Sequence, residues 1–146
     1  MKYIALALML FAGSAWSQVE ISDPWMRATA PGQKTAAGYM TIRNKSKQPE
    51  RLVGGASEAA AKVQTHVSTK DGDIIRMREV EGYDIPASGS YELKPNGSHL
   101  MLVDIKRPLK EGERIPVVLK FEKSGEVKVD FEVRPLVAPA SSLHQH

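Results

Sequence analysis

The strongest constraint on this chain is how quickly its apolar runs are interrupted. "GYMTIRN" (38–44) gives way to the polar "KSKQP", which leads into "RLVGGAS" (51–57). "YEL" runs into the turn "KPNG" and on to "HLMLVDI" (99–105), and "RPLKEGE" separates that segment from "IPVVLKF" (115–121). After the turn "EKSG", "EVKVDFEV" (126–133) alternates apolar and charged residues with period two. That period sends successive side chains to opposite faces of a strand, and the Gly, Pro, Asn and Ser clusters end one strand and start the next. Only "SEAAAK" (57–62) favours a helix, and it covers less than two turns. No internal repeat is present. The expectation is an all-β antiparallel sandwich or barrel, with Trp25, Met26, Tyr39 and Met40 as packing residues on its early strands.

The two ends read differently. Residues 1–17, "MKYIALALMLFAGSAWS", have a charged start at Lys2, an apolar run from Ile4 to Ala12, and small residues before Gln18. This is the pattern of a cleaved secretory leader, too short in its apolar part to span a bilayer. No cysteine follows the apolar run, so a lipid-anchored form is not expected. Cleavage would leave 146 − 17 = 129 residues, enough for one domain with an ordinary core, here residues 18–134. It would leave 19 basic residues (20 less Lys2) against 17 acidic, a formal charge of +2. The basic residues are dispersed, without the aromatic interleaving of a nucleic-acid surface. With no cysteine anywhere, an exported fold must rest on its core rather than on disulfides. The segment 135–146, "PLVAPASSLHQH", has no apolar face to bury and is expected to form a loose tail.

Four residues stand apart in chemistry. His66 and Met77 flank "DGD", and His99 and Met101 lie two apart in "HLM". Asp71-Gly72 is a strong two-residue hairpin signal. With those two at the loop, partner numbers sum to 143, which sets His66 directly opposite Met77 with Cβ atoms about 4.5–5.5 Å apart. His99 and Met101 share a strand face about 6–7 Å apart while Leu100 points the other way. If the two faces meet, they offer two imidazoles and two thioethers. Thioethers are soft, neutral donors that favour Cu(I), whereas Zn, Mg and Ca seldom take methionine. A blue-copper electron carrier would need a cysteine thiolate, and hydrolytic zinc would need more His or acidic ligands at suitable spacing. Taken singly, each of the four also reads as an ordinary surface or core residue.

At these residues the chain resembles the PCuAC-type periplasmic copper(I) chaperones, whose signature is His, ten residues, Met, twenty-one residues, then His-x-Met. His66, Met77 and "HLM" (99–101) reproduce both gaps. "WMRATAPGQKTAAGYMTIRN" (25–44) and "DIPASGSYELKPNGSHLMLVDIKRPLKEGE" (84–113) extend the resemblance over nearly all of the chain from the leader to Val133. One departure is "VQTHVST" around His66, where relatives often carry extra methionines. The resemblance implies a cupredoxin-like Greek-key β-sandwich that binds one Cu(I) through His66, Met77, His99 and Met101. It further implies a periplasmic carrier without catalytic activity, delivering copper to the CuA centre of cytochrome c oxidase, directly or alongside a Sco-like factor. His144 and His146 in the tail suggest a second site suited to Cu(II), as in family members with His-rich tails. Two other readings stay open: a copper-sequestering or resistance protein using the same site, and a metal-free structural or interaction sandwich.

Overall fold

The computed structural model describes residues 18–135. The leader expected at 1–17 and the tail from 136 onward, including His144 and His146, lie outside the described residues. Ten strands follow one another: β1 (Val19–Arg27), β2 (Thr35–Asn44), β3 (Glu50–Ala56), β4 (Ala60–Asp71), β5 (Ile74–Glu79), β6 (Tyr83–Ile85), β7 (Ser90–Leu93), β8 (Ser98–Ile105), β9 (Arg114–Phe121) and β10 (Gly125–Arg134). Hydrogen-bonded neighbours run β5-β4-β8-β2-β1-β10-β9-β3-β6, with β7 joined to β2. A further pairing of β3 with β4 closes the seven strands from β4 round to β3 into a ring. Every pair is antiparallel except β1 with β10, where Trp25 faces Glu132. The all-β architecture expected from the sequence is therefore the one observed. No helix among the described residues is long and apolar enough to cross a membrane.

Period two does the sorting. On β9, Ile115, Val117, Leu119 and Phe121 turn inward while Arg114, Pro116 and Lys120 are exposed. Met26 and Met40 are fully buried with Ile42, Leu52, Leu100, Leu102 and Phe131, so both methionines are core fillers as expected. Each fully buried Leu or Ile of this kind contributes about 1.5–3 kcal/mol. Closure of the ring depends on Gly55, which pairs with Val63. A Cβ on Gly55 would lie 2.8 Å from the Val118 carbonyl oxygen, so only glycine lets β3 approach β9 this closely.

One local expectation is corrected. "SEAAAK" is not helical: residues 58–59 form a turn, and β4 begins at Ala60. The Ser57 hydroxyl accepts from the Ala59 N–H (3.2 Å) and donates to the Pro116 carbonyl (2.9 Å). That side chain satisfies the backbone in a turn, and burial of Ala60 and Val63 in the core outweighs the helix propensity of alanine.

Two buried polar groups hold the loops. Asn44 Nδ2 donates to the carbonyls of Gln48 (2.8 Å) and Pro86 (3.1 Å). Glu50, at the start of β3, accepts from the N–H groups of Arg51 (2.8 Å), Lys123 (2.9 Å) and Ser124 (2.9 Å), and from the Ser124 hydroxyl (2.7 Å).

Candidate metal centre

The β4–β5 hairpin fixes the first pair of candidate ligands. Asp71 pairs with Ile74, so the loop is Gly72-Asp73 rather than Asp71-Gly72. Gly72 takes φ of +63° at the first central position while Asp73 stays at negative φ, the pattern of a type II′ turn. Partner numbers now sum to 145, which sets His66 opposite Glu79 and Met77 opposite Ser68. The direct His66–Met77 pairing expected from the sequence is thus corrected. The change moves each partner by two residues, so it preserves the faces. Met77 becomes a diagonal neighbour of His66, a separation of about 7–8 Å that a long side chain can cover.

β8 brings in the second pair, and here the strands meet directly. His66 pairs with His99 and Gln64 with Met101 across the β4–β8 ladder. The imidazole centroids lie 5.7 Å apart, with the rings tilted by 44°. Two rings sharing one ion through metal–nitrogen bonds of about 2 Å would hold their centroids roughly 5–6 Å apart. Met101 follows His99 on the same face, and Ala37 of β2 flanks it on the other side. Leu100 and Leu102 face the core. The four candidates therefore share the outer face of β5, β4 and β8, with the thioethers displaced to opposite sides of the imidazole pair. His99 is 3% exposed and Met77 61% exposed.

Hydrogen bonding sets the state of both rings. His99 Nδ1 lies 3.1 Å from the Gly97 carbonyl, and His66 Nε2 lies 2.9 Å from Gln64 Oε1. The remaining nitrogens, His66 Nδ1 and His99 Nε2, are buried without a hydrogen-bond partner among the described residues. Burial first, and repulsion from His99 second, hold the His66 imidazole below the ordinary histidine range, with Glu79 opposing them. Neutral imidazole is the form that binds metal. Beneath the pair, the Tyr83 hydroxyl lies 2.6 Å from the His66 carbonyl and 2.7 Å from the His99 carbonyl, sharing its hydrogen between them. Tyr83 stacks on Tyr91 with centroids 4.8 Å apart, and burial pushes its phenol far above the ordinary range.

The sequence reading missed Gln64 and Tyr83. Gln64 was open to inference, since it precedes His66 by two on one strand and must share its face. Nothing local marks Tyr83, which reaches the histidine strands only through the closed barrel. Trp25 and Tyr39 pack on each other, as expected of packing residues on the early strands, with Tyr39 buried and Trp25 half-buried. Their rings lie 4.6 Å apart, and Arg134 sits 5.2 Å over Trp25, on the face of β1 and β2 opposite Met26 and Met40.

This sequence and fold have relatives. The family described as "Putative lipoprotein LpqE-like" matches residues 19–133. "Putative lipoprotein Lxx21020" of Leifsonia xyli subsp. xyli is 33% identical over 117 residues, covering 80% of this chain and 69% of that protein. Among solved structures, the copper-bound PCuAC domain from PmoF2 is 31% identical and superposes with a TM-score of 0.71, covering 81% of this chain and 93% of the other. The solution structure of Cu(I)-DR1885 from Deinococcus radiodurans is 34% identical with a TM-score of 0.66, covering 84% of this chain and 81% of the other. The fold is thus that of the PCuAC domains, as the cupredoxin-like expectation required.

Proposed function

The chain belongs to the LpqE-like family, and on that premise we propose that it is an exported carrier of Cu(I) without catalytic activity. His66, His99, Met77 and Met101 are the proposed ligands. The observation that supports this most directly is the pair of imidazoles, centroids 5.7 Å apart, each with one buried nitrogen that has no hydrogen-bond partner among the described residues. Two thioethers on the same face supply the soft donors that distinguish Cu(I) from harder ions. Four neutral ligands leave the ion's charge uncompensated, which suits a site that must give its metal up. Met77, on an exposed terminal strand, is the ligand an incoming acceptor could displace first.

The proposed destination is the CuA centre of cytochrome c oxidase or a Sco-like intermediary, in the periplasm, after removal of residues 1–17. Mixing the Cu(I)-loaded protein with an apo CuA domain tests this: copper should move to the acceptor at a rate that rises with acceptor concentration. Retention of the metal would favour sequestration through the same ligands. Absence of Cu(I) uptake would leave the metal-free interaction module. His144 and His146 form the proposed second site, for Cu(II). Deleting residues 139–146 should leave Cu(I) stoichiometry intact and lower that of Cu(II).

A further inference from the structure

Neutral imidazole carries one N–H, and whichever nitrogen holds it cannot bind a metal. At His99 the backbone settles the question. The Gly97 carbonyl oxygen can only accept, so the hydrogen is on Nδ1 and the lone pair is on Nε2. At His66 the partner is a side chain. Gln64 Oε1, 2.9 Å from Nε2, accepts the hydrogen there and leaves the lone pair on Nδ1. The reverse arrangement would bury an Nδ1–H with no acceptor among the described residues, whereas a lone pair at that position can take a metal.

From this we infer that Gln64 is a positioning residue for copper capture: it makes His66 bind through Nδ1 while His99 binds through Nε2. The inference rests on the copper-carrier reading above. Two placements give Gln64 this role. It precedes His66 by two on β4, so both project from one face, and it sits directly opposite Met101. Its carboxamide therefore lies between a ligand ring and the strand position of a ligand thioether. Outer partners of this kind orient the ring, fix its tautomer and raise its basicity. Ligation through different nitrogens also has a geometric effect. Nδ1 lies nearer its own backbone than Nε2, so β4 offers a short arm and β8 a long one, and the ion is drawn toward β4, the strand paired with Met77-bearing β5.

The test uses 15N-histidine-labelled protein carrying residues 18–146. In the metal-free protein, long-range 1H–15N spectra should show the hydrogen on Nε2 of His66 and on Nδ1 of His99. On adding Cu(I), the resonances that move most should be Nδ1 of His66 and Nε2 of His99. Gln64→Leu should weaken Cu(I) binding roughly ten- to a hundredfold and blur the His66 tautomer, without moving the thermal midpoint of the metal-free form. Gln64→Glu, which still accepts at Nε2, should restore most of the affinity. A hydrogen on Nδ1 of His66 in the metal-free protein overturns the inference whatever copper does, as does Cu(I) affinity in Gln64→Leu equal to that of the unaltered chain. Failure of the unaltered protein to take up Cu(I) overturns the carrier reading instead, and leaves the metal-free tautomers to judge the Gln64 contact.

Discussion

Glu50 and the His66–His99 pair both place polar atoms out of reach of water, and they are completed in opposite ways. Every lone-pair direction that matters at Glu50 is filled: two donors on Oε1 and two on Oε2 tie β3 to the turn before β10. At the histidines one nitrogen of each ring is held and the other is left without a partner. Buried polar groups are nearly always satisfied, and an exception in a native structure asks for a cause. The saturated site is a structural clamp. The half-satisfied site has the form expected where the missing partner arrives from outside.

Loss of the thioethers should separate the two sites most severely. Met77→Leu and Met101→Leu each preserve approximate volume and should change folding stability by less than about 1.5 kcal/mol. Combined, they should lower Cu(I) affinity by more than the roughly hundredfold typical of losing an outer partner, read by competition with a Cu(I) chelator. Unchanged affinity in the double variant would remove both methionines from the site. The single variants sharpen the contrast within the site. Met101, in the sheet interior between β4 and β2, should matter more for affinity. Met77, on the exposed β5, should matter more for the rate of transfer.

Glu50→Gln tests the saturated site. Its amide would set an NH2 group against the Ser124 donors, so stability at neutral pH should fall by about 1–3 kcal/mol, measured by urea denaturation, while Cu(I) affinity stays constant. The pH dependence follows from the direction of its shift. Burial alone would raise the Glu50 pKa, but the hydrogen bonds from Arg51, Lys123 and Ser124 together outweigh it and hold the carboxyl below its ordinary value. The unfolded chain therefore takes up its proton first as the pH falls. Stability from the clamp is whole above the ordinary carboxylate pKa and is lost on further acidification through the folded value. The gap between Glu50→Gln and the unaltered protein should accordingly narrow in acid. A gap independent of pH would show that the carboxylate's charge plays no part.

The smallest effect is expected from Tyr83→Phe. It keeps the stacking on Tyr91 and removes one hydroxyl from between two carbonyls, costing about 1 kcal/mol. Because those carbonyls belong to His66 and His99, Cu(I) affinity should fall along with stability, by a few fold at most. A loss of stability with no change in affinity would confine Tyr83 to the core.

Much of this was legible in the sequence because period two is a strong signal. β2, β8, β9 and β10 lie where alternation and turn residues set them, and the same rule puts His66 with Met77 on one face and His99 with Met101 on another; that the two faces are continuous comes from the β4–β8 pairing. The hairpin register was not legible. Asp71-Gly72 and Gly72-Asp73 are both acceptable loops, and the choice rests on which turn type suits the twist of β4 and β5. The slip left the candidate ligands on one face only because it moved each partner by an even number of residues. "SEAAAK" misled because helix propensity is local while burial of Ala60 and Val63 is not. Tyr83 was invisible for a related reason: its hydrogen bonds span 17 and 16 residues and exist only once the ring of strands has closed.

Among the described residues β5 ends the strand order, and its outward edge is where a strand from another molecule could pair. Ile74, Ile75 and Met77 would make such pairing favourable. Yet Arg76 and Arg78 occupy the positions between and beyond them, and Glu79 closes the run, all exposed. Two copies paired edge to edge with their arginines in register would set like charges opposite one another, which is unfavourable. An exposed apolar edge of this kind carries a hazard of self-association, and the interleaved charges of "IIRMRE" oppose it while leaving Met77 accessible.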